Sequence, residues 1–207
     1  MGLRSSLFAL VYDRMSRGSE EAGVGAMRDG LLAEADGRVL EIGGGTGINL
    51  GHYGDGVESL VVTEPEPAML RRLERKVQER SPHAEVQQAP AEDLPFEDAS
   101  FDTIVSTLVL CGVDDQARAL SEARRVLRPG GKLLFLEHVR SDDPSVGRLQ
   151  DRLTRVNHAL FGCDCNRRTL AAIEAAGFTV ARVEQTALPK SPKFVSPAIV
   201  GVAVAGP

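Results

Sequence analysis

A chain of 207 residues, 43% hydrophobic and 26% charged, is sized for one domain with a sizeable core (1–207) and is short for two. Its net charge of −5 gives no general attraction for phosphate backbones, which argues against nucleic acid as a partner. No apolar run reaches the ~20 residues that span a bilayer, so no integral membrane segment is expected; three cysteines point away from a disulfide framework and towards a reducing, cytoplasmic compartment.

In chain order, residues 3–16 read as an amphipathic helix, with Leu3, Leu7, Leu10 and Val11 near helical spacing. The short apolar stretch there is broken by Tyr12, Asp13 and Arg14, so no secretory leader is expected. A second helix follows over 20–34, and 1–35 together form an N-terminal helical cap. Arg38-Val-Leu-Glu-Ile42 is a buried strand that runs into the glycine-rich stretch 43–47. A strand is expected at 59–63, a helix at 67–80 opened by Pro67, and strands at 84–88 and 101–107. A helix over 114–127 leads to the turn Arg128-Pro-Gly-Gly131 and a strand at 132–139. Helices at 144–160 and 166–176, a strand from Gly177 and an apolar strand at 194–204 complete the chain.

Strands alternating with helices indicate a mostly parallel sheet covered on both faces. Ligands of such sheets bind beyond the carboxyl ends of the strands, which directs attention to the loops after Ile42, Thr63, Gln88, Thr107 and Val139. Leu40-Glu-Ile-Gly-Gly-Gly-Thr-Gly47 is the strongest feature: glycines let a loop pass close to a nucleoside, and Glu64, about 20 residues on, is spaced to accept ribose hydroxyls. A dinucleotide site shares that spacing. Its pyrophosphate pattern, however, needs a glycine at position 48, where this chain has Ile48, and Glu41 sits badly beside a pyrophosphate and suits a cationic amino-acid moiety.

The stretch Glu41-Ile-Gly-Gly-Gly-Thr-Gly47 resembles motif I of the class I S-adenosylmethionine-dependent methyltransferases. Thr63-Glu-Pro65 resembles their ribose-binding loop, Ala91-Glu-Asp-Leu-Pro-Phe96 their adenine-lining segment, Phe101-Asp-Thr-Ile-Val105 motif IV, and Leu127-Arg-Pro-Gly-Gly131 the turn before strand five. The resemblance covers residues 36–140. It implies an α/β, Rossmann-like, seven-stranded and mostly parallel sheet with helices on both faces and an antiparallel last strand. It implies S-adenosyl-L-methionine as the cofactor. Glu41 and the backbone of Gly43, Gly44, Gly45, Thr46 and Gly47 would hold the methionine part, Glu64 the ribose, and Ala91 and Glu92 the adenine. Thr107 and Leu108 would lie beneath the sulfonium; Asn49, Pro65 and Met69 belong to the same cofactor-binding set. Pro90 stands where relatives often carry Asp, which leaves adenine recognition to backbone or to Glu92.

The second half narrows the resemblance. Ser106–Val113, Glu137-His-Val139, Phe161-Gly-Cys163, Arg167 and Ala176-Gly-Phe178 are similar to the alkyl-thiol methyltransferases of the methyltransferase-like type, near phospholipid and quinone methyltransferases. This implies in-line methyl transfer to a small molecule, a thiol first. N-, O- or C-methylation of a metabolite, quinone or phospholipid head group stays open, as does a cofactor-binding sensor. Cys165 and Asn166 depart from the Leu-Thr that often precedes the arginine, and tryptophan is absent. Catalytic candidates are His138, as base or substrate orienter, His158 on a helical lid (140–165), and Asp13. Cys111, Cys163, Asp164 and Cys165 are expected to line the substrate pocket. The C-x-C spacing of Cys163 and Cys165, with no second pair, argues against a metal, and none is expected. The oligomeric state stays open.

Overall fold

The computed structural model describes residues 16–81 and 83–206. The helix expected over 3–16 lies, but for its last residue, outside them, and so does Asp13. Residues 16–19 are helical and lead into a π-helical turn, Glu20–Val24, then α1 (Gly25–Leu32). The remaining elements are β1 (Gly37–Ile42), β2 (Val57–Thr63), α2 (Pro67–Arg80), β3 (Glu85–Gln87), β4 (Phe101–Thr107), α3 (Gln116–Val126), β5 (Leu127–His138), α4 (Pro144–Phe161), α5 (Thr169–Ala175), β6 (Phe178–Ala187) and β7 (Pro197–Ala205).

The seven strands form one sheet in the order β3-β2-β1-β4-β5-β7-β6. β1 to β5 are mutually parallel, and β7 runs antiparallel to both of its neighbours, as the resemblance implied. Successive strand residues point to opposite faces, and both faces are buried. Leu40, Ile104, Leu133 and Phe135 pack with Ala119, Leu120 and Ala123 of α3 and Ile173 of α5. Their neighbours Val39, Val105, Leu134 and Leu136 pack with Leu31 and Leu32 of α1 and Leu73 and Val77 of α2. Three of the helices start on side-chain caps: the Glu66, Asp115 and Asp143 carboxylates accept amide N–H bonds at the first turns of α2, α3 and α4.

One expected turn is corrected. Arg128–Gly131 lies within β5, because Leu127 already pairs with Phe101. An irregularity between that pair and Thr103–Lys132 absorbs the extra residues, and Gly130 takes it up at φ +78°. The order of strands reverses between β1 and β4, so the crevice for a ligand opens above the ends of these two strands.

β5 carries the site's inner wall, and Phe135 anchors it: its ring is fully buried and lies over Gly201 on β7. Phe135→Ala is expected to lower the unfolding free energy by about 3–5 kcal/mol, seen as a lower urea midpoint with an unchanged slope.

Candidate active site

The glycine bend is held from two sides. Gly44 N–H donates to the Thr63 carbonyl at 2.8 Å, and Gly45 N–H donates to Glu64 Oε2 at 2.8 Å. The other oxygen, Oε1, accepts from Glu66 N–H at 2.9 Å. A Cβ at Gly44 would fall inside the contact distance of Val62 Cγ1, so that position admits no side chain. Gly45 has φ +58° and nothing within 4 Å of where its Cβ would be, so bare backbone faces open space. Glu64 is only 6% exposed, and burial pushes its carboxyl above the usual range. Each oxygen keeps a further lone pair for a hydroxyl donor.

Behind the bend is a buried polar network. The Glu41 carboxylate accepts from Tyr53 Oη at 2.6 Å and from Asn49 Nδ2 at 3.0 Å. Asn49 Nδ2 also donates to Thr107 Oγ1, and Arg28 Nη1 donates to both Asn49 Oδ1 (2.7 Å) and Thr107 Oγ1 (2.8 Å). Arg28 spends its remaining donors on Glu20. Both hydrogen-bond donors to Glu41 are therefore neutral, while burial raises its pKa; a cationic amino group is the partner this carboxylate suits. Arg28, Glu41, Asn49 and Thr107, with Gly43 to Thr46, Ile48 and Leu108, enclose a small cavity of about 50 Å³.

A second cavity of about 330 Å³ adjoins the first, and Leu108 lines both. Val24, Phe161, Leu188, Phe194 and Val195 make its surface mostly apolar, interrupted by Ser19, Glu20, Lys190 and Ser191; its inner end is Cys111, His138 and Cys163. His138 Nδ1 lies 3.4 Å from both Cys111 Sγ and Cys163 Sγ, and burial pushes its pKa down, so the imidazole is neutral. The contact with Cys111, then burial, push the Cys163 thiol far up.

The family model for the methyltransferase domain matches residues 40–135, the span from β1 to β5. The human thiol S-methyltransferase TMT1A is 36% identical over 172 residues, 80% of this chain and 70% of its own length. The chain is a class I S-adenosylmethionine-dependent methyltransferase. The phosphatidylethanolamine N-methyltransferase of Cereibacter sphaeroides is 34% identical over 126 residues, 60% of this chain and 62% of its own. A solved S-adenosylmethionine-dependent methyltransferase from Thermotoga maritima superposes with a TM-score of 0.73 at 21% identity, over 99% of this chain and 100% of that one, a likeness of fold. The cofactor of this methyltransferase is S-adenosylmethionine. The open backbone at Gly45, the buried acid at Glu64 and the neutral-partnered acid at Glu41 fit its nucleoside and its cationic amino group.

Not every expected site residue of the methyltransferase reaches the cavities. His158 sits on the outer side of α4 with Nδ1 3.1 Å from Asp164 Oδ1, and neither lines the larger cavity. Asp164 is taken up by Arg167 (2.9 Å), which also donates to the Leu110 and Val113 carbonyls. Cys165 is buried behind Cys163, their sulfurs 3.3 Å apart, and does not line the cavity. Glu92 accepts the Asp114 and Asp115 N–H groups. Ala91 and Met69 are buried near the strand ends, and Pro65 is exposed. Arg28 and Asn157 were not singled out from sequence, and Glu137 entered only as part of the segment around His138. A lone arginine on a helix reads as a solvated charge, and only the fold reveals Arg28 as 3% exposed.

Two substitutions test the cofactor cradle. Glu64→Ala strands the Gly45 and Glu66 amides and removes the acceptor expected for the ribose, and is expected to weaken S-adenosylhomocysteine binding by about 1–3 kcal/mol. Gly45→Ala places a methyl group in the open space and strains a left-handed backbone by about 1–2 kcal/mol, for a loss of tenfold or more. Calorimetric titration reads both; unchanged affinity in either would refute the cradle.

Proposed function

We propose that this methyltransferase transfers the methyl group to the sulfur of a small, largely apolar thiol. The observation that carries the reading is the composition of the larger cavity. A mostly apolar body ends in a soft inner wall of Cys111, His138 and Cys163, and Leu108 lines both this cavity and the cofactor cavity. An alkyl thiol is divided in the same way, a hydrocarbon chain with one polarisable head. The 36% identity to a human thiol S-methyltransferase supports it.

When bound, the cofactor supplies an electrophilic methyl group on a sulfonium. The chain's own part is alignment and exclusion of water. In this reading Glu41, Asn49 and the glycine bend hold the methionine part, Glu64 the ribose, and Thr107 and Leu108 the floor below the reacting carbon. A thiol reacts as its anion; the reference pKa of a cysteine thiol is about 8.5, and an alkyl thiol is a weaker acid, so the site has to stabilise that anion. His138 orients the thiol head. Ser19, Glu20 and Val24 from the N-terminal cap and Asn157 and Phe161 from α4 line the cavity, which supports reading 16–35 as a cap and the 140–165 segment as a lid. Among the described residues no helix is long and apolar enough to cross a membrane.

The test is release of S-adenosylhomocysteine from the full chain with an alkyl thiol, the matching alkyl amine, a phenol, a quinone precursor and phosphatidylethanolamine vesicles. Turnover of the thiol alone is expected. Turnover of any other acceptor without the thiol overturns the assignment, and cofactor binding with no turnover marks a sensor.

A further inference from the structure

The inner wall of the larger cavity brings together donors from three places in the chain. Cys111 lies in the turn after β4, His138 ends β5, and Cys163 follows α4. Cys111 Sγ and Cys163 Sγ are each 3.4 Å from His138 Nδ1, and the three donor atoms lie within 4.8 Å of one another. Zinc bonds of ~2.3 Å to sulfur and ~2.0 Å to imidazole nitrogen, set at a tetrahedral angle, place S and N donors about 3.5 Å apart. The two sulfur–nitrogen spacings here match those of a zinc ligand set, and thiolate with imidazole is a donor mixture that zinc favours.

The three positions are fixed before any ion arrives. Asp164 N–H donates to the Cys111 carbonyl at 2.8 Å, tying the Cys111 turn to the segment that carries Cys163. Arg167 holds the carbonyls of Leu110 and Val113 on either side. Asn157 Nδ2 donates to the Cys163 carbonyl at 2.6 Å. All three donors line the cavity, whereas Cys165 stands behind Cys163. Three protein ligands with the fourth direction open to a cavity is the pattern of zinc sites that act on a bound molecule, as distinct from closed structural sites. The expectation of no metal rested on the Cys163–Cys165 spacing and the lack of a second cysteine pair, and Cys111 and His138 are too distant in sequence for their place beside Cys163 to be foreseen.

We propose that Cys111, His138 and Cys163 bind a zinc ion whose open position takes the sulfur of the substrate thiol. The proposal rests on the thiol reading above and deepens it. Coordination replaces the thiol proton with the metal, and the proton leaves to water; a thiol bound to zinc is deprotonated at neutral pH. A lone pair on that sulfur then forms the new carbon–sulfur bond. The methyl group's bond to the sulfonium breaks with its electron pair left on the departing sulfur. Zinc changes no oxidation state, and the neutral thioether product is a poorer ligand and leaves.

The full chain, purified with a reductant and no chelator, is expected to carry about one zinc per chain by elemental analysis. After chelation, Co²⁺ should restore occupancy, with sulfur-to-metal charge-transfer absorption and the intense visible bands of a tetrahedral site; an added alkyl thiol should shift those bands. Cys111→Ser should bring metal content to background, and Cys165→Ser should keep it. Zinc should raise the melting temperature of the wild type and not of Cys111→Ser, which separates lost binding from lost folding. Absence of the cobalt spectrum, bands indifferent to thiol, or equal loss in Cys165→Ser each overturns the proposal. A chelated, metal-free chain that still methylates thiols overturns the zinc site and leaves thiol methylation standing. A chain that binds cobalt and thiol but methylates no thiol overturns thiol methylation alone.

Discussion

The site depends on one hydrogen bond between the ends of two strands, from the Gly45 amide to the Glu64 carboxylate. A carboxylate almost out of water is costly unless its lone pairs are met. Two backbone amides meet those of Glu64, and one of them belongs to the glycine bend. The bond therefore does two things at once: it stabilises a buried charge, and it sets the bend at a fixed distance from the acid. The parallel register of β1 and β2, with Glu41 opposite Val62, brings the two ends level. Gly44 packed on Val62 then leaves no room for a side chain that would spread them.

A second constraint joins the two cavities. Arg28 spans from the cofactor side, where it donates to Asn49 and Thr107, to Glu20, which lines the larger cavity. Its charge is paired with Glu20 at 3.1 Å while it completes the network behind Glu41. The cap that supplies both residues is thereby keyed to the ends of β1 and β4.

Much of this was legible in the sequence, for identifiable reasons. The strands β1, β2 and β4 each carry a short aliphatic stretch (Val39-Leu40, Leu60-Val61-Val62, Ile104-Val105), and the glycine bend and Glu64 are a local pattern with a fixed spacing. What escaped was non-local. Cys111 and Cys163 are far apart in sequence, and only the crossover through α3, β5 and α4 returns the chain to the same point. Glu92 and Asp164 lie beside the expected sites, yet their carboxylates engage nearby groups, two amides for Glu92 and Arg167 for Asp164. Arg128-Pro-Gly-Gly131 has turn chemistry, but pairing with β4 draws it into the strand.

The turn after β4 shows how the sheet dictates the chemistry above it. Leu108 has φ +60°, a conformation that costs a residue with a Cβ about 1–2 kcal/mol, and such strain persists only where the surroundings over-determine it. Here they do. Leu108 N–H donates to the Leu136 carbonyl at 2.7 Å. The next two amides, of Val109 and Leu110, converge on Glu137 Oε1 at 3.0 and 3.1 Å, and Ser106 Oγ joins them at 2.7 Å. A fully buried acid at the end of β5 thus holds the residue that divides the two cavities, while the next residue, His138, points to the other side of the strand and forms the wall of one of them. Because side chains alternate along a strand, a slip of β5 by one residue would exchange the two and undo both walls together. The cofactor floor and the substrate wall are therefore not independent features. Both are set by the pairing of β5 with β4 and β7, and an alteration that loosens that pairing acts on both cavities at once.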